Sequence, residues 1–242
     1  MRYEVKARQT SYGEAIGIMA IENYVPYIPG DTANATSYSF PVRFERLPGS
    51  TPERLFAKDE ALVDVALEVG RKLVAEGVRA VTGDCGFLAN YQDRIAEALE
   101  VPVFLSSLLQ LDFIDRITGP GGKTGIITAE SSALDRQLLD GVTSVPAERL
   151  LITGLEEKPE FVGAVFEEKG SLDSALVEQE VLEAARTITA DPAVRAVLLE
   201  CSLLPPYAHA VQEATRLPVF DYNTMINYVY DAVVRRRFSG FM

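Results

Sequence analysis

Two stretches of the chain read almost alike: "VRAVTGDCGFLANYQDRIAEALEVPVF" at residues 78–104 and "VRAVLLECSLLPPYAHAVQEATRLPVF" at residues 194–220. They lie over one another without gaps at an offset of 201 − 85 = 116 residues, and about a dozen of the 27 paired positions are identical. Val78-Arg79-Ala80-Val81 falls over Val194-Arg195-Ala196-Val197, Cys85 over Cys201, Tyr91 over Tyr207, and Pro102-Val103-Phe104 over Pro218-Val219-Phe220. Self-similarity at a fixed offset marks a duplicated architecture. In each stretch a short, nearly continuous apolar run, the pattern of a buried parallel strand, leads to the cysteine. A helix follows, predicted at 90–100 and 206–216, and then a second strand.

The pattern extends outward from both copies. Longer amphipathic helices are predicted upstream, at 59–76 and 172–190. Each half opens on a glycine-containing strand, "IGIMAIE" (16–22) and "TGIITAE" (124–130), followed by "PVRFERL" (41–47) and "RLLITGL" (149–155). The order β-β-α-β-α-β, read twice, predicts an α/β protein of two pseudo-symmetric lobes. Each lobe is a mostly parallel sheet flanked by helices. Lobe 1 is assigned to 1–116 plus 220–242 and lobe 2 to 117–219. Right-handed crossovers set each cysteine at the carboxyl end of its strand, the edge where open α/β sheets bind ligands. Two such lobes face to face predict an active site in the cleft between them.

Composition narrows the class of function. At 242 residues with 48% hydrophobic and 24% charged residues, the chain has the make-up of a soluble globular protein. No apolar run reaches the length of a membrane span, and "MRYEVKARQTSYGEA" lacks the apolar core of a signal peptide. The expected location is the cytoplasm. A net charge of −12 repels phosphate backbones, so no nucleic-acid partner is expected. The basic triplet Arg235-Arg236-Arg237 is read as complementing the dipole of a C-terminal helix. Two cysteines and one histidine cannot complete a closed zinc site, and the cysteines are expected as free thiols. "GPGGKTG" (119–125) precedes a strand rather than a helix and is read as the inter-lobe linker.

The chemistry rests on Cys85 and Cys201. Both sit at a strand-to-helix turn, where helix N–H groups favour a thiolate, and each is followed by a small residue, Gly86 or Ser202. A thiol with a pKa near 8.5 can exchange a proton with carbon at near-neutral pH. Two of them on opposite walls form an acid/base pair that needs no metal or cofactor. Asp84 and Glu200 precede the cysteines and would raise their pKa. The long Pro/Gly/Asn-rich segment 22–41 follows the first strand at the ligand edge. It puts Glu22, Asn23, Asn34 and Thr36 among the candidates. Tyr91 and Tyr207 are read as core, and His209 as a solvated helix residue.

These residues, with "TGIITAESS" opening the second half, resemble the aspartate/glutamate racemase superfamily, which includes hydantoin racemases, arylmalonate decarboxylases and maleate isomerases. The resemblance covers nearly the whole chain. It implies an isomerase, a racemase or epimerase of a small amino acid or related carbon acid, independent of pyridoxal phosphate. One cysteine would be the base and the other the acid. The alternatives are a maleate-type cis–trans isomerase with a nucleophilic cysteine and a non-catalytic two-lobed binding protein. In the family the loop that holds Ser131 and Ser132 supplies hydroxyls to the substrate carboxylate, the other reading of these serines being an N-cap for the helix at "ALDRQLL"; Gly86, Phe87, Ser202, Glu22, Asn23 and Asn34 are the further substrate-binding candidates. No cofactor is expected. The partner is a small carboxylate-type substrate, and the protein is expected to form a homo-oligomer. Amino-acid racemases of the group tend to show Cys-Asn-Thr and Cys-Thr-His, whereas this chain has Cys85-Gly86-Phe87 and Cys201-Ser202-Leu203. With Leu88 and Leu204 also apolar, the predicted substrate lacks a second carboxylate, or has its second polar group held by the 22–41 loop.

Overall fold

The computed structural model describes residues 2–5, 9–119 and 121–242. Parts of the N-terminal stretch (1 and 6–8) and Pro120 of the inter-lobe linker lie outside them. Two four-stranded, all-parallel sheets form the frame. The first holds β1 (Ile16–Ala20), β2 (Val42–Arg46), β3 (Ala80–Gly83) and β4 (Val103–Phe104) in the order β2-β1-β3-β4. The second holds β5 (Lys123–Thr128), β6 (Leu150–Gly154), β7 (Val194–Leu199) and β8 (Val219–Phe220) in the order β6-β5-β7-β8. The duplication seen in the sequence is thus a duplication of topology. Gly17 pairs with Val81 in the first sheet, and Gly125 with Val197 in the second.

The helices, in chain order, are α1 (Pro52–Phe56), α2 (Ala61–Ala75), α3 (Gln92–Ala98), α4 (Leu111–Thr118), α5 (Arg136–Val142), α6 (Pro159–Val165), α7 (Ser174–Thr189), α8 (Ala208–Thr215) and α9 (Tyr222–Val233). The apolar stripe of α2 buries Leu62, Ala66, Val69 and Leu73. That of α7 buries Val177, Val181, Ala184, Ala185 and Ile188. Both stripes follow the three-to-four spacing of a helix face turned to a sheet. A glycine in each central strand lets its helix approach: a Cβ on Gly17 would lie 3.1 Å from Leu73, and one on Gly125 only 2.0 Å from Ile188.

Two details differ from the sequence reading. The helices after the cysteines begin with 3-10 turns, Gly86–Tyr91 and Pro205–Tyr207, before α3 and α8. In the second lobe, Pro205 and Pro206 lack the N–H groups that a regular helix uses. Helix α9 ends at Val233, so Arg235, Arg236 and Arg237 lie beyond it and are exposed. Helix α9 also packs on the first sheet. Tyr222, Met225 and Ile226 join Ile16, Ile18, Phe40 and Phe104 in one buried cluster. A separate apolar cluster runs from Met19, Leu73 and Val81 of the first lobe to Ile126, Leu138 and Leu198 of the second. The two lobes therefore share core and meet at the carboxyl ends of β3 and β7.

Candidate active site

Strands β3 and β7 end at Gly83 and Leu199, one residue before Asp84 and Glu200, and the next residue in each lobe is a cysteine. Cys85 and Cys201 are free thiols that line one cavity between the lobes. Cys201 is buried and Cys85 half-buried. The cavity is narrow, with about 40 Å³ open to water-sized groups. From the cysteine turns come Asp84, Gly86, Phe87, Glu200, Ser202 and Leu203; Ile21, Asn23 and Tyr27 come from the chain after β1. Pro52 and Phe56 enter from α1, and Val165 and Phe166 from the end of α6.

Three phenyl rings make one wall. Phe56 stands edge-on to Phe87 with centroids 4.7 Å apart, and edge-on to Phe166 at 6.2 Å. The polar wall is acidic. Asp84 Oδ1 accepts from the Ile21 N–H at 2.9 Å, while its Oδ2 has no partner. Glu200 Oε2 accepts from Thr128 Oγ1 at 2.7 Å, while its Oε1 has no partner. Burial pushes each carboxyl up to about 7, against the hydrogen bond that each accepts. Among the described residues, no Lys or Arg lines the cavity.

The same burial governs the thiols. It pushes Cys85 up, and Glu200 and then Asp84 add to the rise. The N–H groups of Phe87 and Leu88 pull the other way. Cys201 is raised by burial and by Glu200, with the Leu203 N–H opposing. Backbone N–H groups of the turn after each cysteine thus oppose the rise in both lobes. The lobes are fastened around the pair. Ser202 Oγ donates to the Asp84 carbonyl, Ser107 Oγ bonds the carbonyls of Leu199 and Glu200 at 3.2 Å, and the Thr32 N–H reaches the Ser202 carbonyl at 3.2 Å.

Of the residues singled out in the sequence, Cys85, Cys201, Gly86, Phe87, Ser202 and Asn23 meet in this cavity. Four do not. Ser131 donates to Glu156, and Ser132 to Glu130 at 2.6 Å, so local carboxylates hold both hydroxyls at a short 3-10 turn. Asn34 caps another such turn, accepting from the Thr36 N–H at 2.9 Å and donating to the Tyr27 carbonyl at 2.9 Å. Glu22 pairs with Arg46 at 2.5 Å and lines a second depression. That depression adjoins the cavity through Pro52, Val165 and Phe166 and also carries Glu53, Glu167 and Glu168. The sequence reading missed Tyr27, Phe56 and Phe166, which carry no local signal; only the packing of α1 and α6 brings the two phenyl rings in. His209 is exposed on α8, and Tyr91 is buried with its hydroxyl donating to the Asp59 carbonyl at 2.9 Å. Among the described residues, no cluster of three or more His, Cys, Asp or Glu side chains is placed to hold a metal ion.

The fold is shared with solved structures of a decarboxylase and of racemases. A variant of arylmalonate decarboxylase superposes with a TM-score of 0.57 at 18% identity, covering 92% of this chain and 94% of that one. Allantoin racemase from Pseudomonas fluorescens gives 0.58 at 16% identity, with 91% of each chain covered. Glutamate racemase from Bacillus anthracis gives 0.51 at 13%, with 90% and 82% covered. No family model matches the chain. In sequence, dimethylsulfoniopropionate lyase 7 of Emiliania huxleyi is 32% identical over 226 residues, covering 88% of this chain and 65% of that protein. Lyase 5 of the same alga is 33% identical over 231 residues, covering 90% and 45%. A dimethylsulfoniopropionate lyase of Durusdinium sp. clade D is 27% identical over 217 residues, covering 86% and 71%. The chain thus spans between 45% and 65% of the length of the Emiliania lyases numbered 3, 5, 6 and 7.

These relatives correct the function expected from the paired cysteines. Proteins about a third identical over most of the chain are named lyases, a different function from amino-acid racemisation, although the fold neighbours include racemases. The two alternatives, a cis–trans isomerase and a non-catalytic binding protein, are set aside with the racemase.

Proposed function

We propose that the protein is a cofactor-independent lyase that cleaves dimethylsulfoniopropionate, or a close 3-sulfoniopropionate, by β-elimination. Removal of the proton α to the carboxylate is the step that a racemase and such a lyase share. A racemase returns a proton to the opposite face. Here the β carbon carries a dimethylsulfonium group, and the electron pair expels it. The Cys85 thiolate takes the α-proton and becomes a thiol. A carbon–carbon double bond forms, the β carbon–sulfur bond breaks toward sulfur, and dimethyl sulfide and acrylate result. The Cys85 thiol then loses its proton to solvent to reset the site. A thiolate is a base of suitable strength for this step.

The observation that carries the reading is the set of lyase relatives, 32–33% identical over 88–90% of the chain. The lining supports it. A sulfonium is a soft, apolar cation, and the Phe56, Phe87 and Phe166 rings line the cavity beside two buried carboxyls. Glu53, Glu167 and Glu168 in the adjoining depression favour a positive group nearby. Asn23, buried at the cavity wall, is the amide assigned to the substrate carboxylate, with Nδ2 as the donor. Cys201 supplies the facing thiol, which holds the carbon skeleton against Cys85.

The test is to incubate the protein with dimethylsulfoniopropionate and measure dimethyl sulfide in the headspace and acrylate by proton NMR. Equal amounts of the two, above the uncatalysed rate, are expected. Their absence, or release of 3-hydroxypropionate instead of acrylate, overturns the reading.

A further inference from the structure

The turn after Cys85 is pressed against a side chain from the other lobe. Oε1 of Glu200 lies so near Gly86 that a Cβ there would be 1.5 Å from it, and 3.0 Å from the Glu200 carbonyl. Glu200 is fully buried, and this oxygen has no hydrogen-bond partner. Its other oxygen is held by Thr128 at 2.7 Å, which fixes the direction of the carboxyl. A buried, partnerless carboxylate oxygen is costly unless the group is neutral or a neighbour changes charge with it. The neighbour here is the cysteine one residue before Gly86.

We infer that Glu200 is a positioning residue for Cys85: from the opposite lobe it shares a single negative charge with that thiol, which ionises readily only while Glu200 is neutral. Two like charges in one buried site cannot both form near neutral pH, so the pair titrates as a unit. The physical chemistry agrees with the geometry, since Glu200 follows burial as the cause that raises Cys85, and Glu200 itself is pushed up to about 7. The other titratable groups around the pair are Asp84 and Cys201 in the cavity, Tyr27 from the loop and Tyr222 from α9; Asp31 acts on Cys201. Burial raises both tyrosines far above neutrality, so they stay uncharged. The arrangement places charge control of one lobe's cysteine in the other lobe, so that Cys85 is set for chemistry only when the lobes are docked.

This inference does not depend on the substrate, and its test is read without turnover. Alkylation of Cys85 and Cys201 by iodoacetamide is followed peptide by peptide by mass spectrometry between pH 6 and 10. In Glu200→Gln, the pH midpoint for Cys85 should fall by one unit or more. That makes alkylation about tenfold faster at any pH below both midpoints. Thr128→Val removes the hydroxyl that stabilises the ionised carboxylate, and it should move Cys85 in the same direction by less. Thermal melts verify that each variant is folded. An unchanged Cys85 midpoint in a folded Glu200→Gln overturns the inference. Should that variant not fold, an unchanged midpoint in Thr128→Val overturns it. If Cys85 shifts while no dimethyl sulfide is ever released, the charge sharing stands and only the lyase reading falls.

Discussion

At the scale of single residues, the site is built from one short motif used twice, a buried carboxyl followed by a cysteine and a small residue. The two copies are not equivalent, and the difference predicts separable roles. Cys85→Ser should lower release of dimethyl sulfide by at least about a hundredfold, the usual scale of lost acid–base catalysis, with little change in melting temperature. Retention of a tenth of the rate would move the base to Cys201. Gly86 is constrained by contact rather than by backbone angle. Gly86→Ala must displace Glu200 or part the lobes, and overpacking of this kind costs about 1–3 kcal/mol. Adding Glu200→Ala should return part of that stability in chemical denaturation. A double variant no more stable than Gly86→Ala alone would mean that the Glu200 backbone, not its carboxyl, is the obstacle.

At the scale of elements, helices and loops hold the site rather than form it. Helix α7 lies close on β5 because Gly125 leaves room for Ile188. Gly125→Val should therefore destabilise the second lobe by about 1–3 kcal/mol, read as a lower denaturation midpoint at unchanged slope. The 22–41 loop works in a similar way. Asn34 ties a 3-10 turn to the Tyr27 carbonyl, and Tyr27 lines the cavity. Asn34→Ala should cost about 1 kcal/mol, the ordinary value of a lost cap, and should raise KM more than it lowers kcat. A fall in kcat with KM unchanged would instead give the loop a part in the chemical step.

At the scale of the molecule, several carboxyls are buried, Asp84 and Glu200 in the cleft and Asp31 and Asp221 outside its lining. Burial raises Asp84 and Glu200 to about 7, Asp221 to about 6, and Asp31 well above its ordinary value. A carboxyl raised in the folded state binds its proton more tightly there than in the unfolded chain. Its contribution to stability is full below the unfolded pKa near 4 and is lost as pH rises through the folded value. Stability should therefore decline between about pH 4 and pH 7. The melting temperature should be higher at pH 5 than at pH 8 by at least about 3 °C, roughly 1 kcal/mol for a chain of this size. Surface carboxylates such as Asp59 and Asp191, lowered by hydrogen bonds from Arg54 and Lys123, act the opposite way only below about pH 4. Asp84→Asn should flatten the slope, and a melting temperature that rises from pH 5 to pH 8 would contradict this account.

The frame was legible in the chain because strands and helices leave periodic marks. "AVTG" and "AVLL" are nearly unbroken apolar runs because both faces of β3 and β7 are covered, and the spacing on α2 and α7 follows one helix face. The repeat of Cys85 at Cys201 carried the pairing of the thiols, since duplicated topology returns duplicated positions to equivalent edges. Three things were decided only by the tertiary structure. Phe56 and Phe166 enter the cavity from α1 and α6, and no periodicity marks that meeting. Ser131 and Ser132, placed at the substrate by resemblance, are held instead by Glu156 and Glu130. Glu200 crosses to Gly86, a contact set by how two sheets dock and not by the residues on either side. Local pattern follows backbone geometry, which repeats along the chain. Contacts across a cleft follow long-range packing, which leaves no mark in either segment read alone.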